Sequence, residues 1–199
     1  MISNLTDLMQ NWDCPGPSPW SNNILAANSI QLRSGLVDVD GSVQDDPNSD
    51  ALARCRNLSE RAAASFGGES LHSSEGSETF QPFYVAASSA FTAVRIDENW
   101  VRRIFGRALF PRAQIAVESL AEDTDWWQEI VEAYEGKEPG PYARMRRWFL
   151  DQPDFDQTAY VTIEKELSDL EGGCCFPRLV LGRVPDGSVA GILGYVVWT

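Results

Sequence analysis

Residues 176–199 read FPRLVLGRVPDGSVAGILGYVVWT, and the reading of this stretch decides the fold. Val180, Leu181 and Val184 make one short apolar run, and residues 189–198 make a second, rich in β-branched and aromatic side chains. Between them lies Pro185-Asp186-Gly187-Ser188. Proline presets φ, aspartate bonds its own backbone and glycine accepts positive φ, so the spacing predicts a β-hairpin. The second run reaches Thr199 with no polar tail behind it. Chain ends fray unless they are tied down, whereas a strand running to the last residue holds that residue's α-carboxylate in a fixed place. The Thr199 carboxylate is therefore the leading candidate for a working group.

Outward from the hairpin, residues 165–175 are polar and end Gly-Gly-Cys-Cys, which predicts a loop. Alternation and β-branching predict a strand over 158–163. Helical spacing covers 142–150, with Met145, Trp148 and Phe149 inward, and 126–134 before it. A short strand is expected over 113–117. Asp97 is placed to cap a helix that turns Trp100, Val101, Ile104 and Phe105 inward and ends near Gly106. A strand over 80–87 follows a Ser, Gly and Glu-rich loop over 68–79. Ser49 or Asp50 caps a helix through about 65, with Leu52, Cys55, Leu58 and Ala62 on one face. Residues 1–50 are expected to be an acidic, partly ordered N-terminal extension, and 51–199 the domain proper. Helices alternating with strands predict an α+β fold with helices on the faces of a sheet.

Composition narrows the function. The chain has 199 residues, with 16 basic against 29 acidic side chains and a net charge of −13. Tracking phosphates needs clustered Lys and Arg, so direct nucleic-acid binding is disfavoured. The acids are uneven: residues 118–138 hold eight carboxylates and one lysine. No stretch approaches the length of a membrane span, and the N-terminus lacks a basic region followed by an apolar one, so neither a membrane segment nor a secretory signal is expected. Four cysteines, two of them adjacent, suggest reduced thiols in a cytoplasmic protein.

Catalytic signatures are weak. His72 is the only histidine and sits among serines, without triad or nucleophile-elbow context. Cys174-Cys175 lacks the paired ligands of a zinc site. Asp38-Val39-Asp40-Gly41 has the look of a calcium loop, but Val43 stands where the loop needs glycine and Ser49 where it needs glutamate. The chain is expected not to be an enzyme and to need no cofactor of its own.

Several separated stretches resemble the nuclease A inhibitor-like family. Residues 181–192, LGRVPDGSVAGI, and the ending Val196-Val197-Trp198-Thr199 resemble that family's last hairpin and its Val-Val-x-Thr terminus. Asp125-Trp126 before acids resembles its Asp-Trp motif, and Pro82-Phe83 after a Ser/Glu-rich loop resembles the start of its first strand. The likeness covers about residues 51–199. Trp198 stands where the family has an acidic residue, and 164–175 reads as an insertion.

The resemblance implies an α/β/α sandwich with a mostly antiparallel, mixed sheet ending in the C-terminal hairpin. It also implies a non-enzymatic inhibitor of a sugar-nonspecific, metal-dependent nuclease. In that reading the Thr199 carboxylate becomes a ligand to the nuclease's Mg²⁺, a metal shared only in the complex. Trp126, Asp125 and one of Glu75 and Glu78 complete the contact. Free, the protein would be a monomer. The alternative is an acidic protein-binding module on the same scaffold whose partner is not a nuclease.

Overall fold

A computed structural model of the chain describes residues 3–4, 29–66, 70–72, 77–89, 91–109, 112–124, 140–164 and 174–198. The turn at 184–188 is the seed. The Gly187 N–H donates to the Val184 carbonyl and the Val184 N–H to the Ser188 carbonyl, both at 2.8 Å. Gly187 has φ 85°, in the left-handed region that favours glycine. Pro185 and Asp186 supply the two central turn residues, and the Asp186 carboxylate takes the Ser188 N–H at 2.8 Å. This is a tight turn closed by a left-handed residue, a common hairpin connection.

Ten strands and three helices are described. A small antiparallel sheet joins β1 (Ser3–Asn4), β2 (Ile30–Gln31) and β3 (Val37–Asp38). Helix α1 (Ser49–Ser65) follows, then a two-stranded hairpin of β4 (Ser70–His72) and β5 (Ser77–Thr79). After it come β6 (Gln81–Val85), α2 (Glu98–Phe105) with a 3-10 turn at Gly106–Ala108, β7 (Gln114–Ser119), α3 (Pro141–Leu150), β8 (Gln157–Glu164), β9 (Cys174–Arg183) and β10 (Val189–Trp198). The main sheet has the order β6-β10-β9-β8-β7. Every described pair in it is antiparallel. The α+β fold expected from the sequence is what forms, with its hairpin β9–β10 inside the sheet and no parallel pair among the described strands.

Strand alternation gives the sheet two covered faces. Phe83, Val85, Leu181, Val189 and Val161 share one face, where Phe83 stacks on Phe105 of α2 at 6.1 Å. Tyr84, Ala190, Val180 and Tyr160 share the other, under α1 and α3. Phe155, which stacks on Phe149 of α3 at 5.8 Å, lies flat on this face. Gly182 is required there, since a Cβ at that position would sit 2.3 Å from the Phe155 ring. Burial on both sides explains why β10 is a continuous apolar run and not an alternating one. Helices lie on both sides of the sheet, as in a three-layer sandwich.

Helix α1 follows its periodicity: Leu52, Cys55, Leu58 and Ala62 are all buried. Its N-cap is Asn48 and not Ser49 or Asp50, the Asn48 side chain accepting the Asp50 and Ala51 N–H groups at 3.0 and 3.1 Å. Asp97 caps α2 as expected, accepting the Trp100 N–H at 2.8 Å. Residues 29–50 are packed against the domain: Val37 joins the main core, and the Ser34 carbonyl accepts the Ala86 N–H at 2.7 Å. Two loop expectations need correcting. Cys174 and Cys175 are strand residues paired with Trp198 and Val197, and part of 68–79 forms the β4–β5 hairpin.

Candidate functional site

The ladder of β9 and β10 sets out the first candidate site. It is unbroken from Val189↔Arg183 to Trp198↔Cys174. Strand β6 flanks β10 on its other side only as far as Gln81, opposite Leu193. Strand β5 leads through the buried Phe80 into β6, so the β4–β5 hairpin runs on towards the far end of β10, and the two are in contact. Glu78, opposite Leu71 in that hairpin, is thereby carried on the strand that accompanies the β10 end. Thr199, Trp126, Asp125 and Glu75 lie outside the described residues, as does the helix expected over 126–134.

Two polar anchors that sequence reasoning missed hold this strand pair. Ser59 on α1 is fully buried; its hydroxyl donates to the Phe83 carbonyl at 2.7 Å and accepts the Gly191 N–H at 3.2 Å. One side chain thus ties α1 to β6 and β10 together. Nearer the β10 end, Arg178 is only 5 % exposed, which for a guanidinium demands partners. It donates to Glu164 at 2.6 Å and to the Pro177 carbonyl at 3.1 Å. Tyr160 bonds to it as well, and burial pushes that phenol up to about 12, against the lowering effect of Arg178. A buried serine inside a helical pattern, and an arginine inside an apolar run, were the available signals.

A second polar feature lies at the opposite end of β10, about 30 Å away by strand rise. It is a groove of about 590 Å³ lined by Asp46, Asn48, Asp50, Arg54, Ser88 and Asp186, among others. Arg54 pairs with Asp186 at 3.1 Å, and Asp46 accepts a bond from the Ser89 hydroxyl. The groove therefore joins the start of α1 to the β9–β10 turn and is mostly acceptor in character.

The loop that looked like a cation site is filled by the protein itself. The Asp38 carboxylate accepts the Val39 and Val43 N–H groups at 2.8 and 2.9 Å and the Ser42 hydroxyl at 3.2 Å. Arg107 adds its guanidinium, 3.3 Å from Asp38 and 2.9 Å from Asp40. The Val43 N–H above all, then the Val39 N–H, Arg107 and Ser42, hold the Asp38 carboxyl well below the usual carboxylate range despite its burial. An internal guanidinium thus occupies the place a calcium loop reserves for its ion. Among the described residues no group of three or more His, Cys, Asp or Glu is placed to hold a metal, and no helix is long and apolar enough to cross a membrane. Cys55 is a free buried thiol, and burial pushes it up to about 11.

Compared with known proteins, the chain matches no protein-family model and has no significant match among curated proteins.

Proposed function

We propose that this chain is a non-enzymatic protein inhibitor of a sugar-nonspecific, metal-dependent nuclease, engaging the enzyme through the end of β10. The supporting observation is the β9–β10 ladder, which stays in register to Trp198, one residue short of Thr199. In the proposed mechanism the α-carboxylate of Thr199 is presented by a strand that stays paired to β9 up to the preceding residue. Mg²⁺ is a hard cation that takes oxygen ligands, usually from substrate phosphate. A rigid carboxylate offers it an oxygen anion with no scissile bond, so the metal is occupied without turnover. Trp126, Asp125 and Glu75 or Glu78 are the remaining contacts in this reading. The metal belongs to the nuclease, and the inhibitor brings none of its own. A net charge of −13 suits an electropositive cleft built to hold nucleic acid, because complementary fields steer encounter and fix register. The setting we propose is the cytoplasm.

A second reading has its own observation. The groove around Asp46, Asp50 and Asp186 lies at the far end of the sheet, where an acidic binding module would meet a partner that is not a nuclease.

The test is digestion of DNA by a Mg²⁺-dependent nonspecific nuclease titrated with the chain at several salt concentrations. The proposal expects stoichiometric inhibition that weakens as salt rises. Full digestion at every concentration of the chain contradicts it.

A further inference from the structure

The main sheet has two edges, and they are treated differently. The β6 edge is guarded: Pro82 has no N–H to offer, the Ser34 carbonyl takes the Ala86 N–H, and the Gly35 backbone lies against the Tyr84 carbonyl. Strand β7 is more lightly guarded: Glu118 is its one charged residue, and among the described residues only the Ala113 carbonyl before it is capped, by Arg102. It has six residues, QIAVES, without proline or lysine, and its register with β8 runs without a bulge from Gln114↔Glu164 to Ser119↔Ala159. An edge of this kind is a template for pairing with another chain.

The bonding direction can be read from the strand's end. The Leu120 N–H donates to the Thr158 carbonyl at 3.2 Å, continuing the register. In an antiparallel ladder successive residues turn alternately towards and away from the neighbour. Ala116 and Glu118 therefore turn to β8, and Ile115 and Val117 turn outward. Ala113 has the same outward parity, and its carbonyl is taken by Arg102 at 2.8 Å. Among the described residues no bond reaches the outward backbone groups of Ile115 and Val117. Ala116 is exposed, and Ile115 and Val117 are half-buried.

We infer that the outer edge of β7 is a pairing surface for a second copy of this chain, the two strands running antiparallel about a two-fold axis through Ala116. The strand is self-complementary in that register. Ile115 faces Val117 of the second copy twice, exchanging N–H and carbonyl bonds and setting apolar side chains opposite each other on one face. On the other face Gln114 meets Glu118, an amide against a carboxylate. In this register Arg112 falls opposite Leu120 of the second copy, two residues before Glu122. Ala116 meets itself as a non-bonded pair, where backbones come within about 4.5 Å and a small side chain fits. Each copy carries −13, so long-range repulsion opposes the dimer and salt strengthens it. This inference does not rest on nuclease inhibition, since β8 and β9 separate β7 from β10.

The test is sedimentation equilibrium of the 199-residue chain over a concentration series at low and high salt, with amide hydrogen exchange on the same samples. The expected result is a concentration-dependent doubling of the 22.1 kDa mass, stronger at high salt, with the Ile115 and Val117 amides gaining protection as the dimer forms. Ala116→Lys and Ala116→Glu, both at an exposed position, should each stay monomeric with unchanged circular dichroism. An equimolar mixture of the two should recover the doubled mass. A natural chain that stays at 22.1 kDa under every condition overturns the proposal, as does a dimer whose Ile115 and Val117 amides exchange as in the monomer.

Discussion

Ser59, Gly182 and Asp38 show how much of this fold depends on single atoms. The Ser59 hydroxyl serves the Phe83 carbonyl and the Gly191 N–H at once, in a position with no access to water. Ser59→Ala leaves both groups without that partner, and the expected loss is about 1–3 kcal/mol, read from the midpoint of urea unfolding. Gly182→Ala drives a methyl group into the Phe155 ring, with an expected loss of about 1–3 kcal/mol. Because the two groups touch, Phe155→Ala in the same chain should remove much of that penalty, and a double-mutant cycle measures the coupling. Additive effects would contradict the contact. For Asp38 the folded state lowers the carboxyl's affinity for protons. Its stabilisation is thus complete above the ordinary carboxylate range and is lost as pH falls from about 5 towards the lowered folded value. Unfolding by urea at neutral and acid pH should show a smaller acid-induced loss in Asp38→Asn than in the natural chain.

At the scale of elements, those with a local cause were legible in the sequence. Helix α1 kept its buried face, since Leu52, Cys55, Leu58 and Ala62 recur at helical spacing. The 184–188 turn formed because Pro185, Asp186 and Gly187 each meet one of its backbone demands. Elements fixed by tertiary partners were not legible. The first half of β9 contains Pro177 and Arg178 and precedes the apolar run at Val180, Leu181 and Val184, with Cys174 and Cys175 read as loop. Pro177 is tolerated because β8 pairs with β9 only from Arg178 onward, so among the described strands Pro177 is paired with β10 alone. Arg178 is tolerated because Glu164 and Tyr160, distant in sequence, meet its guanidinium. The β4–β5 hairpin, too rich in Ser and Glu to read as strand, forms beside β10. Of the candidate site, the strand that carries it was readable, and its side-chain anchors at Ser59 and Arg178 were not. Asn48→Ala tests the cap of α1, with an expected loss of about 1 kcal/mol in urea unfolding.

For the whole molecule, the sheet gives β10 two opposite ends with different chemistry. At one end Asp186 and the start of α1 border an acceptor-rich groove; at the other, the strand stays paired to Trp198 with the β4–β5 hairpin alongside. The proposed inhibition uses only the second end. Asp46→Asn or Asp186→Asn should therefore change nuclease inhibition by less than about 2-fold, whereas changes at the β10 end should abolish it. Removing Mg²⁺ from the nuclease should likewise weaken the complex, since the metal is the proposed bridge.

The most direct measurement compares nuclease inhibition by the 199-residue chain with that of a variant bearing one glycine after Thr199. The added residue leaves the β9–β10 ladder intact and moves the terminal carboxylate one residue further out. Loss of inhibition with an unchanged unfolding midpoint is the predicted result. Equal inhibition by both chains would contradict a mechanism in which the Thr199 carboxylate reaches the nuclease's metal.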